Sequence, residues 1–220
     1  MSDQREPADR FGERAQMVAQ QLRARGITDE RVLAAFSEVP REAFVDPAMA
    51  AAAYADAPLP IGMGQTISQP FVVALMVEAL RLRPDDRVLE VGAGSGYAAA
   101  ILSRVAGHVT AVERHLALAE GARDRLAAVG LDNVDVRHGD GTLGWPDAAP
   151  FDAVLVSAGG THVPPALLDQ LAAGGRLVIP VGGPEHQELL RMVRESDGTL
   201  REERLGRVSF VPLVGEQTAP

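Results

Sequence analysis

Residues 88–96 read VLEVGAGSG, an apolar run carrying one acidic residue and followed by three glycines that alternate with small residues. Arg87–Val91 has the length and valine content of a strand buried on both faces, and helical spacing begins at Tyr97. Glycine belongs where a chain turns tightly and where a ligand must lie against the peptide plane, because a Cβ would obstruct both. A strand, a glycine turn and a helix in that order mark the carboxyl edge of a parallel sheet, the natural crevice for a ligand.

The same texture continues on both sides of this turn. Short valine-rich runs at 109–113, 134–137, 153–157 and 177–181 alternate with helical segments at 98–105, 117–129 and 165–172. Two further strands are expected at 189–194 and 207–213, joined through the turn pair Asp197-Gly198. The fold expected is α/β, a doubly wound, mostly parallel seven-stranded sheet of Rossmann type. Residues 1–83 read differently. Met17, Val18 and Leu22, then Val32, Leu33 and Phe36, recur at helical spacing, with Asp29 as N-cap and breaks at Pro40 and Pro47. Residues 57–70, APLPIGMGQTISQP, hold three prolines and two glycines, and are expected to form a shaped loop rather than helix or strand. An amphipathic helix over 71–82 leads into the glycine-rich strand. The organisation expected is one domain over 1–220: a helical N-terminal extension (1–83) carrying a substrate loop (57–70), and an α/β core (84–220).

Composition narrows the function. The chain of 220 residues carries 21 Lys and Arg against 30 Asp and Glu, a formal charge of −9. A nucleic-acid partner is not expected, since phosphate binding leaves a basic footprint. No apolar run reaches the ~20 residues of a membrane span. The first sixteen residues are too charged for a secretory signal, and cysteine is absent. A cytoplasmic protein without disulfides or thiol chemistry is expected. The five histidines show no metal-ligand spacing, so no metal is expected.

The cofactor follows from the spacing Gly92-x-Gly94-x-Gly96, which departs from the dinucleotide pattern G-x-G-x-x-G. Glu90, two residues before the first glycine, would repel a pyrophosphate at the helix N-terminus but suits an ammonium group. This favours S-adenosylmethionine over NAD, with Glu90, Gly92, Gly94, Ser95 and Gly96 as its expected contacts. Glu113 ends the second strand where an acceptor for both ribose hydroxyls belongs, and Asp140 and Gly141 lie in the loop after the third, where the adenine edge falls.

These motifs, with the loop GQTISQP at Gly64–Pro70 and the runs HGDGTLGWPDAAPFDAVLV, LLDQLAAGGRLVIPVG and VSFVPL, closely resemble the protein-L-isoaspartate O-methyltransferase family. The resemblance runs in order from about Met17 to Gly215 and implies a class I methyltransferase-like fold. It also implies the substrate: the α-carboxylate of L-isoaspartyl residues in damaged proteins, methylated to open a succinimide route back towards aspartate. By position, Ser68 matches the family's active-site serine. Thr66 and Gln69 are expected beside the cofactor, and Ile67, Val208 and Val214 beside the substrate peptide. A monomer is expected. Three departures stand out. Ser157-Ala158-Gly159-Gly160-Thr161-His162 replaces a segment that usually reads more like Thr-Ala-Ala with proline soon after. Ser209 stands where bacterial members often have arginine. A polar N-terminal tail, expected to be disordered, is added.

A carboxylate with a pKa near ~3.9 is already ionised at neutral pH and needs no general base. The expected work of the site is therefore positioning by the Ser68 hydroxyl in a water-poor pocket, with Leu59, Ile61 and Ile67 as candidate walls. Three other readings stay open at this point. One is a methyltransferase acting on another aspartate-type carboxylate in a specific peptide. The others are a non-catalytic adenosylmethionine-binding module and, furthest from the motifs, a dehydrogenase.

Overall fold

The structure is a computed structural model that describes residues 10–183 and 185–218. Its centre is a seven-stranded sheet in the order β5-β4-β3-β6-β7-β8-β9. The parallel part comprises β3 (Arg87–Val91), β4 (His108–Glu113), β5 (Val134–His138), β6 (Phe151–Val156) and β7 (Leu171–Gly182). β8 (Gln187–Arg194) and β9 (Leu200–Val208) close one edge antiparallel. A small hairpin of β1 (Leu59–Gly62) and β2 (Gln65–Ile67) lies outside the sheet.

Alternation along the buried strands feeds two cores. Val88, Ala111, Ala153 and Val178 face α2 (Glu30–Glu38), α3 (Pro70–Leu80), α4 (Tyr97–Val105) and α5 (Leu116–Ala128). Leu89, Val91, Val154 and Ile179 face the opposite side, covered by Leu167 of the short α6 (Pro165–Asp169) and by Trp145 in a loop. The N-terminal chain adds α1 (Phe11–Met17), which continues through a wide turn at Val18–Leu22. Met17, Leu22, Leu33 and Phe36 are buried there, and the Asp29 carboxylate accepts the Arg31 N–H at 2.9 Å as the N-cap of α2.

Several expectations need correction. Residues 57–70 contain the β1–β2 hairpin, because Leu59 and Ile67 pair across it and bury, while Pro60 sits on a two-stranded ribbon that tolerates a missing N–H. The last strand is Leu200–Val208, not 207–213. Its charged sequence LREERLGRV hides the strand, since an edge strand keeps its side chains in water. Residues 209–215 instead run back across the carboxyl end of the sheet, touching it through the Gly159–Pro212 bridge. The helix expected over 165–172 stops at Asp169, since β7 starts at Leu171. The first nine residues of the polar tail lie outside the described residues, and from Phe11 the tail is helical.

One buried ion pair ties the N-terminal layer to the sheet. Arg176 of β7 donates to Asp86 at 2.5 Å and to the carbonyls of Leu80, Arg81 and Asp152, fastening the end of α3 beneath β3. Breaking such a pair strands the remaining charge. Arg176→Met is expected to cost about 3 kcal/mol, read as a lower midpoint in urea denaturation.

Candidate active site

Chain order along the sheet reverses between β3 and β6, so the strand ends splay apart there and leave a crevice. The glycine turn after β3 occupies it. Gly94 has φ +55°, and a Cβ on it would lie 3.1 Å from the Ile61 side chain, so the hairpin rests directly on this turn. Glu113 at the end of β4 is fixed from two sides: its carboxylate accepts the Gly94 N–H and the His115 N–H, both at 2.9 Å.

Three connected hollows open around this point. A cleft of about 560 Å³ is bordered by Gly92, Gly94, Glu113, Gly141 and residues 211–214. An inner pocket is lined by Ile67, Ser68, Glu90, Ser95 and Tyr97. A wider groove of about 970 Å³ runs outward between Ser68 and Gln69 on one wall and residues 207–211 on the other. Thr66 and Ser157 border all three, so the hollows meet between these two hydroxyl residues.

The structure brings most of the expected residues to this junction. Thr66, Ser68, Gly92, Gly94 and Glu113 face the hollows, Ser95 lines the inner pocket and Gly141 the cleft. Ser68 is half-buried, and its hydroxyl has no hydrogen-bond partner among the described residues. Others sit elsewhere than expected. Gln69 caps α3 and faces the outer groove rather than the cleft. Of the residues expected beside the peptide, Val208 lines the groove, whereas Ile67 lines the inner pocket and Val214 borders the cleft. Gly96, with φ +91°, packs against Ala122 and Leu126 and starts α4 instead of lining a hollow. Leu59 turns into the core.

Asp140 is spent on the protein itself. One oxygen accepts the Thr142 N–H and hydroxyl, and the other accepts the Glu216 N–H at 2.7 Å. Burial raises its pKa, but these hydrogen bonds outweigh it and hold the carboxyl below the ordinary aspartate value. The contact pins residues 215–217 down, and with them the wall of the cleft at 211–214.

Glu90 supplies the test of whether a cationic amino-acid group fits. It is fully buried, and neither carboxylate oxygen has a hydrogen-bond partner among the described residues. Burial first, and the nearby Glu113 carboxylate second, push its pKa well above the ordinary glutamate value; the Ser157 hydroxyl is near enough to oppose them but completes no hydrogen bond to either oxygen. A buried acceptor with both oxygens unsatisfied costs free energy until a donor arrives, and an ammonium group would supply one. With carboxylate-backed glycines and a cleft of mixed polar and apolar walls beside it, the site fits S-adenosylmethionine. Among the described residues no cluster of three potential metal ligands occurs, and no helix is long and apolar enough to cross a membrane.

Ser157, His115 and Arg207 also border the hollows and were not expected there, whereas Val211 belongs to the 208–214 stretch that the resemblance places beside the peptide. Ser157 was within reach of sequence reasoning, since it follows β6 at the carboxyl edge. Arg207 was hidden by the misplaced last strand.

Comparison with known proteins gives one consistent answer. The profile of the protein-L-isoaspartate(D-aspartate) O-methyltransferase family matches residues 13–218. A protein-L-isoaspartate O-methyltransferase of Methylorubrum extorquens (strain PA1) is 61% identical over 206 residues, covering 94% of this chain and 90% of its own. That of Methylorubrum populi is 62% identical over 201 residues, covering 91% of this chain and 94% of its own. Among solved structures, a protein-L-isoaspartate O-methyltransferase superposes with a TM-score of 0.82 at 31% identity, over 92% of this chain and 67% of its own. A Plasmodium falciparum protein described as a putative member, in complex with S-adenosyl-L-homocysteine, gives 0.78 at 26% identity, over 91% and 98%.

Proposed function

Because the chain belongs to the protein-L-isoaspartate(D-aspartate) O-methyltransferase family, we propose that it methylates the α-carboxyl group of L-isoaspartyl residues in damaged proteins, with S-adenosylmethionine as donor. When bound, the donor supplies an electrophilic methyl group on a positively charged sulfur. The observation that carries the reading within this chain is the orphaned Glu90 carboxylate in the same inner pocket as the unpartnered Ser68 hydroxyl.

The chain's residues divide the work. Glu90 receives the donor's ammonium group, and Glu113, held by two backbone N–H groups, offers its remaining lone pairs to the ribose hydroxyls. Gly92, Gly94 and Gly141 let the backbone come close, and Thr66 and Ser95 add polar contacts. Asp140 acts through the 211–214 wall that it anchors. Gln69 and Val208 border the peptide's path. Ser68 donates a hydrogen bond to one oxygen of the incoming carboxylate and leaves the other free to attack, which fixes orientation without moving a proton. Ile67 and the hairpin keep water out of the junction, where opposite charges are neutralised as the reaction proceeds. A monomeric enzyme of the cytoplasm is the setting this reading assigns.

The decisive experiment compares one peptide in its isoaspartyl and normal aspartyl forms. Base-labile methyl ester is expected on the isoaspartyl form alone; equal esterification of both would overturn the substrate assignment.

A further inference from the structure

Resting on this reading of function, we propose that Arg207 is a specificity-determining residue. It receives a second carboxylate of the substrate, on an acidic side chain flanking the isoaspartyl residue.

Among the described residues, Arg207 is the only charged one that lines the outer groove; its other walls are hydroxyl, amide and apolar groups. It lies at the end of β9, and the other arginines of that strand are engaged: Arg201 with Glu195 and Glu203, Arg204 with Glu202. Arg207 forms no ion pair among the described residues. Even Glu188, its in-register neighbour on β8, is not paired with it. The strand thus neutralises its cations except the one that faces the groove. On a chain of net charge −9, which repels anionic peptides as a whole, one free guanidinium at the groove gives an approaching carboxylate a local target.

The carboxylate it serves is not the reacting one. The reacting group belongs where the three hollows meet, beside Thr66 and Ser157, whereas Arg207 borders the groove alone. A guanidinium on the nucleophile would also withdraw charge from the attacking oxygen. Placement in the groove alone and chemistry both point to a carboxylate further along the peptide. Pro58, Val72 and Phe210 add apolar surface to the same groove.

The test uses N-acetylated, C-terminally amidated isoaspartyl peptides that carry either Glu or Gln within three residues of the isoaspartyl position. Binding to the full chain with S-adenosylhomocysteine is measured by calorimetry, and KM and kcat by methyl-ester release. The Glu peptides are expected to bind roughly three- to tenfold more tightly than their Gln twins at low salt, with the difference in KM rather than kcat and shrinking as salt rises. Arg207→Gln should abolish that advantage, Arg207→Lys should keep part of it, and Arg207→Glu should shift it to Lys-flanked peptides. A Glu advantage that is absent from the native enzyme, or survives Arg207→Gln, overturns the proposal. So does an advantage gained only when the amide cap is removed, which would make Arg207 a reader of chain termini. Failure to methylate any of these peptides would instead overturn the isoaspartyl reading itself.

Discussion

The Glu90→Gln enzyme is expected to bind S-adenosylhomocysteine roughly 100-fold more weakly than the native chain, yet to unfold at a higher temperature when ligand-free. Both effects come from one buried carboxylate. In the ligand-free protein it is fully enclosed and unsatisfied, close to the Glu113 charge, so ionising it is costly. A neutral amide of the same shape removes that cost but cannot pair with an ammonium group, and losing one half of a buried charge pair forfeits about 3 kcal/mol of affinity. The pH dependence has a definite sign. A folded-state pKa raised above the ordinary 4.5 means the native state holds its proton longer than the unfolded chain. The contribution is fully present below 4.5 and is lost as pH rises through the raised folded value. The Tm gap between variant and native protein should therefore widen towards alkaline pH, at about 2–4 °C per kcal/mol for a chain of this size. Calorimetry in buffers of different ionisation enthalpy should also detect a proton released on ligand binding. Unchanged affinity in the variant would remove Glu90 from the donor site.

Ser68→Ala is expected to lower kcat by roughly 10- to 1000-fold, the range for one lost orienting donor. Donor affinity should stay within about twofold, because the Ser68 hydroxyl is assigned to the incoming carboxylate, whereas Glu90 and Glu113 carry the donor's polar contacts. The partition distinguishes it from Glu90, whose loss falls on binding. The rate should also be level from about pH 6 upward, since the nucleophile is ionised throughout and the hydroxyl only points it. A sigmoid rise near neutrality, abolished by Ser68→Ala, would show that Ser68 takes part in proton transfer after all.

The buried half of this protein could be read from its sequence. Strands covered on both faces, such as Arg87–Val91, must be apolar throughout, and the glycine turn after β3 admits few side chains. Exposed elements gave weaker signals. β9 is a charged edge whose register is set by β8, and the β1–β2 hairpin is stabilised by Leu59 and Ile67 reaching the core, a tertiary fact that local composition does not carry. The site divided along the same line. Glu90 and Glu113 were legible because strand ends fix where their side chains go. Asp140 was placed in the right loop, but its engagement by Glu216, 76 residues later in the chain, depends on a return path with no periodicity to announce it.

That return path ties together two events usually treated as separate. Val211 borders both the cleft and the outer groove, and the stretch it belongs to is clamped at its far end by Asp140. A donor in the cleft and a peptide in the groove would therefore share one wall. Arrivals and departures should then follow a sequence: the donor enters first, the damaged protein docks on a wall already braced, and the esterified product leaves before the spent donor can.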